Sequence, residues 1–176
     1  MTTPIECFRC CPKCGRPARR ATANSIQCPA CGFLYYFNPV VAAGALVLND
    51  EGRMLWIRRA KEPGKGRLGV PGGFVDFGET AEEAVRRETR EEVNLELESL
   101  EFLCSCPNPY ACDDVTYPVL DLFFTARSRA GGNAAALDDV ESSCWLRPEE
   151  IRPEEIAFPS IKAALDCWLG RFGGRV

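Results

Sequence analysis

The segment GGFVDFGETAEEAVRRETREEVNL, residues 72–95, concentrates charged side chains in this 176-residue chain. It contains six glutamates and three arginines. On a helix that begins near Thr80, residues three and four positions apart share a face. Glu88 and Glu92 therefore extend the apolar stripe of alanine and valine side chains that should pack against the rest of the protein. Glu91 lies at the edge of the same patch.

Glutamates on an apolar helix face need a partner, because a carboxylate that loses its water without gaining a counter-charge is costly. The alternative is a solvated helix in which the neighbouring arginines cancel the glutamates. That alternative accounts for Glu82 and Glu83, which suit the positive end of the helix dipole, but not for the glutamates on the apolar face. Carboxylate clusters suit Mg²⁺, which completes its shell with water and substrate phosphate. The pattern therefore favours a divalent metal site.

A second pattern involves cysteines near the N-terminus. Two near-identical knuckles, CPKCG and CPACG, are separated by thirteen residues between their inner cysteines. Two tight turns that each supply two thiolates are typical of a closed tetrahedral zinc site. We therefore predict one structural Zn²⁺ bound by Cys11, Cys14, Cys28 and Cys31. The alternative is four free or redox-active thiols, and the sequence leaves open whether Cys7 and Cys10 join the site.

The composition narrows the remaining possibilities. No apolar run approaches the ~18 residues of a membrane helix, and the N-terminus lacks the apolar segment of a secretory signal. The net charge of −4 gives no general attraction to nucleic acid, so neither a membrane nor a nucleic-acid partner is expected. The chain has eleven cysteines and no histidine. Reduced thiols in the cytoplasm fit this count better than a secreted disulfide framework.

The order of predicted elements indicates an α/β (α+β) domain at residues 38–176, preceded by a zinc ribbon at residues 1–37. Thr80 and Glu83 form a capping box at the start of a helix that ends near Val93. The other predicted elements are a hairpin of VVAAGALVLN and RMLWIRR, a loop at KEPGKGRLGVPGG, strands near 96–104, 117–127 and 142–146, and a last helix near 160–169.

The charged residues of the acidic segment follow the motif G-x5-E-x7-R-E-U-x-E-E-x-G-U, in which U is apolar, and in this the chain resembles the Nudix hydrolases. Thr89 stands where an aliphatic residue is usual, and Asn94 replaces the last glycine. Thr is β-branched and similar in size to Val, and Asn is the next-best residue for a left-handed helix end. The resemblance covers about residues 39–176 and implies an α/β/α sandwich with a mixed sheet. The matching residues are Gly73, Glu79, Arg87, Glu88, Glu91, Glu92 and Leu95.

The resemblance implies cleavage of a nucleoside diphosphate linked to another group, with Mg²⁺ or Mn²⁺ as the cofactor. A diphosphate anion repels nucleophiles, and divalent cations neutralise it and lower the pKa of a bound water. By analogy, Glu79 acts behind the metal ligands, and Arg87 orients the glutamates by ion pairing. The implied metal ligands, of which Glu91 and Glu92 also count among the catalytic residues, are Glu88, Glu91, Glu92 and the Gly72 carbonyl.

The general base is a separate question. Members of the family often use a glutamate in the motif, or one on a later loop just before a strand that contains an aromatic residue. The stretch LDDVESSCWL occupies that later region, but the position three residues before Trp145 is Ser142. Asp139 and Glu141 flank it, and we favour Glu141 as the base.

A zinc ribbon ahead of such a domain is similar to the architecture of NADH pyrophosphatases, which carry SQPWPFPxS after the motif. Residues 105–113 read SCPNPYACD and keep only part of it. Tyr110 and Tyr117 are candidates to stack on an adenine or nicotinamide ring. We expect a Mg²⁺-dependent pyrophosphohydrolase of NADH, ADP-ribose or a related small molecule, and members of the family are often homodimers. The alternative is a non-catalytic sensor or a zinc-ribbon adaptor that binds nucleic acid.

Overall fold

A computed structural model describes residues 2–128 and 134–173. The described chain forms two compact units. Residues up to Val40 together with Pro109–Val119 form the first unit, and Val41–Asn108 together with the residues from Leu120 onward form the second. Within the described part of the chain, no helix has both the length and the apolar character needed to cross a membrane.

The first unit is built from short elements. A one-turn helix, α1, is followed by a three-stranded antiparallel sheet in the order β1-β2-β3. In the central strand Ile26 is buried and pairs with Arg20 on one side and Tyr35 on the other. The elements are α1 (Pro4–Cys7), β1 (Arg19–Thr22), β2 (Ser25–Gln27) and β3 (Leu34–Tyr36).

The second unit contains most of a seven-stranded sheet and two long helices. The sheet has the order β10-β5-β4-β9-β8, with β6 beside β5 and β7 beside β4. The far ends of β8 and β9 belong to the first unit. The elements are β4 (Val40–Leu48), β5 (Met54–Arg59), β6 (Leu68–Gly69), β7 (Gly72–Phe74), α2 (Ala81–Val93), β8 (Leu97–Cys112), β9 (Val115–Ser128), β10 (Val140–Leu146) and α3 (Pro159–Phe172).

Alternating side chains of the central strands form two hydrophobic layers, one on each face of the sheet. Along β4, Ala45 and Val47 pack in the layer that contains Val85 of α2. Leu46, between them, packs in the layer that contains Trp168 of α3. The strands are therefore buried on both faces, and the unit is the predicted α/β/α sandwich.

The predicted elements are confirmed apart from one segment. The KEPGKGRLGVPGG stretch was predicted as a loop because of its Gly and Pro content, but it contains β6 and part of β7. The strand β6 forms because Leu68 and Gly69 pair with Arg58 and Ile57 of β5. The strand β7 forms because Gly72 and Gly73 pair with Gly44 and Ala43 of β4. Local sequence encodes neither of these long-range contacts. The strands β8 and β9 also extend beyond the predicted limits.

Helix α2 has the predicted ends. The Thr80 hydroxyl accepts a hydrogen bond from the Glu83 N–H at 3.2 Å, and the Glu83 carboxylate accepts one from the Thr80 N–H at 2.8 Å. Asn94 adopts the left-handed conformation, with φ 54° and ψ 39°, and its N–H binds the Arg90 carbonyl. Thr89 is fully buried, and its hydroxyl donates to the Val85 carbonyl at 2.7 Å. Hydrogen bonds within α2 therefore accommodate both Thr89 and Asn94, the two residues that depart from the motif.

The end of α2 gives the first prediction. Replacing Asn94 with Gly should leave stability unchanged or raise it, because glycine adopts a left-handed conformation without steric cost. Replacing Asn94 with Ala should destabilise the protein by about 1 kcal/mol, because the Cβ atom clashes in that conformation. Urea unfolding of the zinc-loaded protein checks this, and an alanine variant as stable as the glycine variant would show that the cap does not control this helix end.

Candidate active site

Arg87 of α2 is partly exposed and contacts three glutamates. Its Nε and one terminal nitrogen bind both oxygens of Glu79 at 2.9 and 3.0 Å. Its other terminal nitrogen binds Glu88 at 2.7 Å and Glu91 at 3.2 Å. The terminal nitrogen that binds Glu79 also donates to the Phe74 carbonyl of β7 at 3.1 Å. The planar guanidinium therefore fixes the carboxylates of one helix relative to one another and to the adjacent strand.

Glu79 lies in the turn before α2. One of its oxygens accepts the Asp76 N–H at 3.1 Å, and the Glu79 N–H returns a bond to the Asp76 carbonyl at 3.1 Å. The hydrogen bonds from Arg87 and from the Asp76 backbone hold the pKa of Glu79 below its usual value. Glu79 is therefore an ionised anchor for Arg87, and its predicted role behind the metal ligands stays a prediction.

Glu92 lies one turn beyond Glu88 and has a different environment. Its carboxylate accepts the Gly72 N–H at 3.0 Å. Burial raises the pKa of Glu92 to about 8, and the charge of Glu88 adds to this, while the hydrogen bond from Gly72 and the charge of Arg59 oppose it. Burial also raises the pKa of Glu88, despite its bond to Arg87. Two carboxylates with unfavourable burial therefore stand side by side, a condition that a bound cation relieves.

Two glycines let the β7 backbone fit between β4 and these carboxylates. Gly72 has a φ of 151°, and a Cβ atom there would collide with the Ala43 carbonyl of β4. A Cβ atom on Gly73 would overlap the Glu88 carboxylate. The strand backbone thus lies directly beside the acidic side chains of α2, where backbone oxygens and carboxylates can serve one ion.

The donor set fits a hard divalent cation. Glu88 and Glu92 are half-buried and Glu91 is exposed, so one face of the cluster is open to solvent and to a substrate. Oxygen ligands from two or three carboxylates and a backbone carbonyl suit Mg²⁺ or Mn²⁺, which retain water and substrate phosphate in their shells. The structure shows the Gly72 N–H bound to Glu92, and the predicted role of the Gly72 carbonyl stays a prediction.

The candidate bases lie at the start of β10. Glu141 is exposed at the point where the pairing of β10 with β5 shifts register. Asp139 is a left-handed residue with a φ of 57°, and its carboxylate forms an ion pair with Lys61. The charge of Asp139 contributes to raising the pKa of Glu92, which places Asp139 within electrostatic range of the site. Glu141 as the base remains a prediction.

The two tyrosines predicted to bind substrate belong to the first compact unit. Tyr110 lies in β8 and is partly buried, whereas Tyr117 lies in β9 and is 37% exposed. Tyr117 is therefore the more exposed of the two, and the stacking role of both rings stays a prediction.

The first unit also contains the cysteine site. The four sulfur atoms of Cys11, Cys14, Cys28 and Cys31 lie within 4.8 Å of one another. The Cys11–Cys31 and Cys14–Cys28 pairs are 3.8 and 3.6 Å apart. Four sulfurs around one tetrahedral Zn²⁺, each about 2.3 Å from the metal, would be about 3.8 Å apart. The two measured pairs match this spacing, so the cluster fits zinc.

The two knuckles have the same backbone geometry. The N–H groups of Gly15 and Gly32 bind the carbonyls of Cys11 and Cys28 at 2.8 and 2.9 Å, and both glycines are left-handed. The thiol of Cys7 instead donates to the Thr3 carbonyl at 3.6 Å. Among the described residues, Cys7 and Cys10 do not belong to the cluster.

The thiols are too close together to ionise freely without a metal. Burial opposes ionisation of Cys28, but the N–H groups of Cys31 and Ala30 lower the pKa of its thiol to about 7. The Arg16 N–H favours the Cys14 thiolate, yet burial and the neighbouring sulfurs raise the pKa of Cys14 to about 12. A divalent cation that displaces the remaining protons would neutralise the negative charge of the closely spaced thiolates.

Comparison with known proteins assigns the second part of the chain to a family. The model of the NUDIX domain matches residues 38–167. The chain belongs to the Nudix family. The predicted motif register, from Gly73 to Leu95, lies within the matched region.

Three relatives of this Nudix protein are informative. The human mitochondrial NAD(P)H pyrophosphatase NUDT13 is 30% identical over 80% of the chain, which covers 39% of that protein. The ADP-ribose pyrophosphatase of Methanocaldococcus jannaschii is 43% identical over 61% of the chain and 62% of that protein. A Nudix hydrolase crystal structure from Nitrosomonas europaea has a TM-score of 0.78 at 24% identity, with coverage of 96% of this chain and 94% of that one. The chain thus spans less than two thirds of the length of the two named pyrophosphatases.

Sequence reasoning on the Nudix domain missed two features of the site. It did not identify the ion pair of Lys61 with Asp139, nor the Gly72 N–H as a hydrogen-bond donor to Glu92. The ion pair depends on the contact of the loop between β5 and β6 with Asp139, and the hydrogen bond depends on the position of β7 beside α2. The Gly-Gly pair was the sequence signal for the close approach of β7.

The cysteine cluster gives the second prediction. We expect purified protein to hold one zinc ion per chain, and Cys28→Ser to lose it, because a tetrathiolate site lacks a replacement ligand. Cys7→Ser and Cys10→Ser should keep one zinc, since neither sulfur lies in the cluster. Metal analysis by mass spectrometry checks all three variants. Zinc loss from the Cys7 or Cys10 variants would contradict the assignment.

The raised pKa of Glu92 gives the third prediction, for protein without Mg²⁺ or Mn²⁺. In the folded state the pKa of Glu92 is about 8, above the ordinary glutamate value of 4.5. Unfolding between these values releases a proton, so the contribution of this group to stability falls as pH rises through that window. Wild type should therefore lose stability relative to Glu92→Gln as the pH rises toward 8.

The measurement is urea unfolding of both zinc-loaded proteins across this pH range. Adding Mg²⁺ at the upper end should stabilise wild type and have little effect on Glu92→Gln, because only the native carboxylate cluster binds the ion. A stability difference that does not change with pH would show that Glu92 is not buried as described.

Proposed function

We propose that the protein is a Mg²⁺- or Mn²⁺-dependent pyrophosphohydrolase that cleaves the diphosphate of NADH, ADP-ribose or a related nucleoside diphosphate derivative. One observation carries the proposal. Arg87 holds Glu79, Glu88 and Glu91 together, while the half-buried Glu92 stands one turn further along the same helix. The names of the human and archaeal relatives support this substrate class.

The proposed roles follow from the contacts. Glu88, Glu91 and Glu92 hold the divalent ions, with the Gly72 carbonyl beside them. When bound, such ions neutralise the diphosphate and make an attacking water more acidic. Arg87 keeps the carboxylates in a fixed arrangement, and Glu79 keeps Arg87 in place. No covalent bond between enzyme and substrate is required, because positioning and charge stabilisation account for the catalysis.

The proposed base is Glu141, with Asp139 as the alternative. Glu141 is exposed beside the shift in the β10 register, so it is free to meet a water molecule. Asp139 is paired with Lys61, whose pKa is raised by that hydrogen bond and ion pair. Separate Glu141→Gln and Asp139→Asn variants distinguish the two by which one loses turnover.

The remaining proposals concern the substrate and the whole chain. Tyr110 and Tyr117 are proposed to stack on a base or nicotinamide ring. We also propose the division into a zinc ribbon at residues 1–37 and a Nudix domain at 38–176, a homodimer, and a cytoplasmic location. All eleven cysteines are free, which fits a reducing compartment.

The fourth prediction tests the metal ligands. Glu92→Gln should lower kcat for ADP-ribose or NADH by on the order of 10²-fold or more, because a neutral amide is a weaker ligand than a carboxylate. Glu82→Gln is the matched control, since Glu82 lies in the exposed first turn of the same helix. Assays with Mg²⁺ that identify AMP and the second product measure the effect.

Each outcome of that assay has a clear meaning. Turnover of NADH or ADP-ribose by wild type and its loss in Glu92→Gln support the proposal. Wild-type protein that binds these compounds without hydrolysing any of them would instead indicate a ligand sensor. Equal rates for the Glu92 and Glu82 variants would remove Glu92 from the metal site.

A further inference from the structure

The tip of the β8–β9 hairpin belongs to the first compact unit, although the rest of both strands belongs to the second. Residues Pro109–Val119, which form this tip, group with the residues up to Val40. The tip carries both of the tyrosines that we propose to meet the substrate, Tyr110 and Tyr117. The contacts that hold the tip to the first unit therefore bear on where those two rings lie.

The main chain of Thr2 pairs with this tip. Its N–H donates to the Asp114 carbonyl at 3.1 Å, and its carbonyl accepts the Thr116 N–H at 2.8 Å. Thr2 and Val115 form a parallel bridge between these two bonds. The segment at Thr2 therefore lies alongside β9 as a short additional strand, and both bonds use backbone groups rather than the threonine side chain.

Helix α1 and its cap connect Thr2 to the rest of the unit. The Glu6 carboxylate accepts hydrogen bonds from the N–H and the hydroxyl of Thr3, both at 2.7 Å. The Cys7 thiol donates to the Thr3 carbonyl at 3.6 Å. A capped helical turn restricts the backbone that follows Thr2, so a displacement at one end of this turn is passed to the other end.

Phe8, directly after α1, attaches this segment to the small sheet of the first unit. Its ring lies nearly parallel to that of Tyr35, with centroids 6.1 Å apart, and edge-on to that of Phe37 at 5.0 Å. Tyr35 belongs to β3 and pairs with Ile26, a buried residue of β2. Residues 2–8 therefore form a strap that contacts the hairpin tip at one end and the small sheet at the other.

The same small sheet leads into the cysteine site. Strand β2 ends at Gln27, next to Cys28, and the Cys28 N–H donates to the Phe33 carbonyl at 2.8 Å just before β3 begins. The second knuckle is therefore the turn that joins these two strands. Among the described residues up to Val40, the buried ones are Cys11, Ser25, Ile26 and Cys28. With so small a core, the sheet is expected to depend on zinc binding for its stability.

We propose that the strap couples the zinc site to the hairpin tip, so that zinc binding positions Tyr110 and Tyr117 for the substrate. Thr2 and Phe8 are the positioning residues, one at each end of the strap. The inference rests on the proposed function, because it requires that the tyrosines contact a ring of the substrate. The alternative is a zinc ribbon that stabilises only itself, with a tip that is held by the pairing of β8 and β9 alone.

Amide hydrogen exchange tests the coupling without any substrate. Thr2→Pro removes the N–H that binds Asp114, so the tip amides at residues 109–119, including that of Thr116, should exchange on the order of 5- to 10-fold faster, the effect expected for one lost hydrogen bond. Thr2→Ala is the matched control, because it keeps both backbone groups, and it should exchange like wild type. Both variants should keep one zinc per chain, since their sulfur ligands are unchanged.

Removal of zinc tests the other end of the strap. Chelation should speed exchange of the tip in wild type by a similar factor, because the sheet that anchors Phe8 loosens. In Thr2→Pro the same treatment should add little, because the strap no longer transmits the change. Phe8→Ala should resemble Thr2→Pro in the zinc-loaded protein. Its matched control is Tyr36→Ala, since Tyr36 is 53% exposed and projects to the opposite face of β3 from Tyr35.

Substrate binding gives the functional readout. With zinc and Mg²⁺ present, Thr2→Pro should raise KM for ADP-ribose by about 3- to 10-fold, the range that one aromatic contact contributes. The value of kcat should change little, because the carboxylate cluster of α2 is untouched. A general loss of folded protein would instead lower kcat. The Kd of the uncleavable diphosphate α,β-methylene-ADP, measured by isothermal titration, should rise by the same factor as KM.

The outcomes separate this inference from the proposed function. Equal tip exchange in Thr2→Pro and Thr2→Ala overturns the coupling, and so does a chelation effect of equal size in those two variants. Faster tip exchange with unchanged KM and Kd overturns the positioning of the substrate. Wild-type turnover leaves the function standing in each of these cases. Weaker binding of α,β-methylene-ADP by Thr2→Pro in a protein without turnover supports the inference and overturns the function.

Discussion

The close approach of a strand backbone to a row of helix carboxylates is the constraint on which the rest of the second unit depends. Gly73 has no side chain to separate β7 from Glu88, and Gly72 has none to separate β7 from β4. Without that approach, the carboxylates would be either fully solvated or buried without a partner. With it, they form an acidic cluster beside the strand, in which Glu88 and Glu92 are half-buried and Glu91 is exposed. The pairing of β7 with β4 is therefore as much a part of the site as the glutamates themselves.

Helix α2 serves the core and the site through different faces. Ala84, Val85, Thr89 and Val93 are buried in the layer on one face of the sheet. Glu88 and Glu92 are the next residues around the same surface, so packing of the core fixes their direction. Arg87 then restricts the remaining freedom of the glutamate side chains through hydrogen bonds. Rigid positioning of this kind limits the reorganisation that a metal site would need on binding its ion.

Local sequence predicted those parts of the structure that depend on local chemistry. The capping box at Thr80, the left-handed end at Asn94 and the two cysteine knuckles all involve residues within a few positions of each other, and all are confirmed. The strands β6 and β7 were not predictable in this way. They exist because they pair with β5 and β4, which are distant in the sequence or in register, and no short pattern records that pairing. The motif located the acidic residues, whereas only the fold shows which cations stand beside them.

The chain contains no histidine, so the two predicted metal sites share no type of side-chain ligand. Imidazole is an acceptable ligand for zinc and for several other transition metals, so a histidine in either site would reduce its selectivity. The first unit offers four sulfurs at tetrahedral spacing, which favour zinc and disfavour Mg²⁺. The second offers carboxylate oxygens, which favour Mg²⁺ or Mn²⁺. Ligand chemistry therefore distinguishes the two sites within one chain, because the sulfur site suits zinc and the oxygen site suits a harder cation.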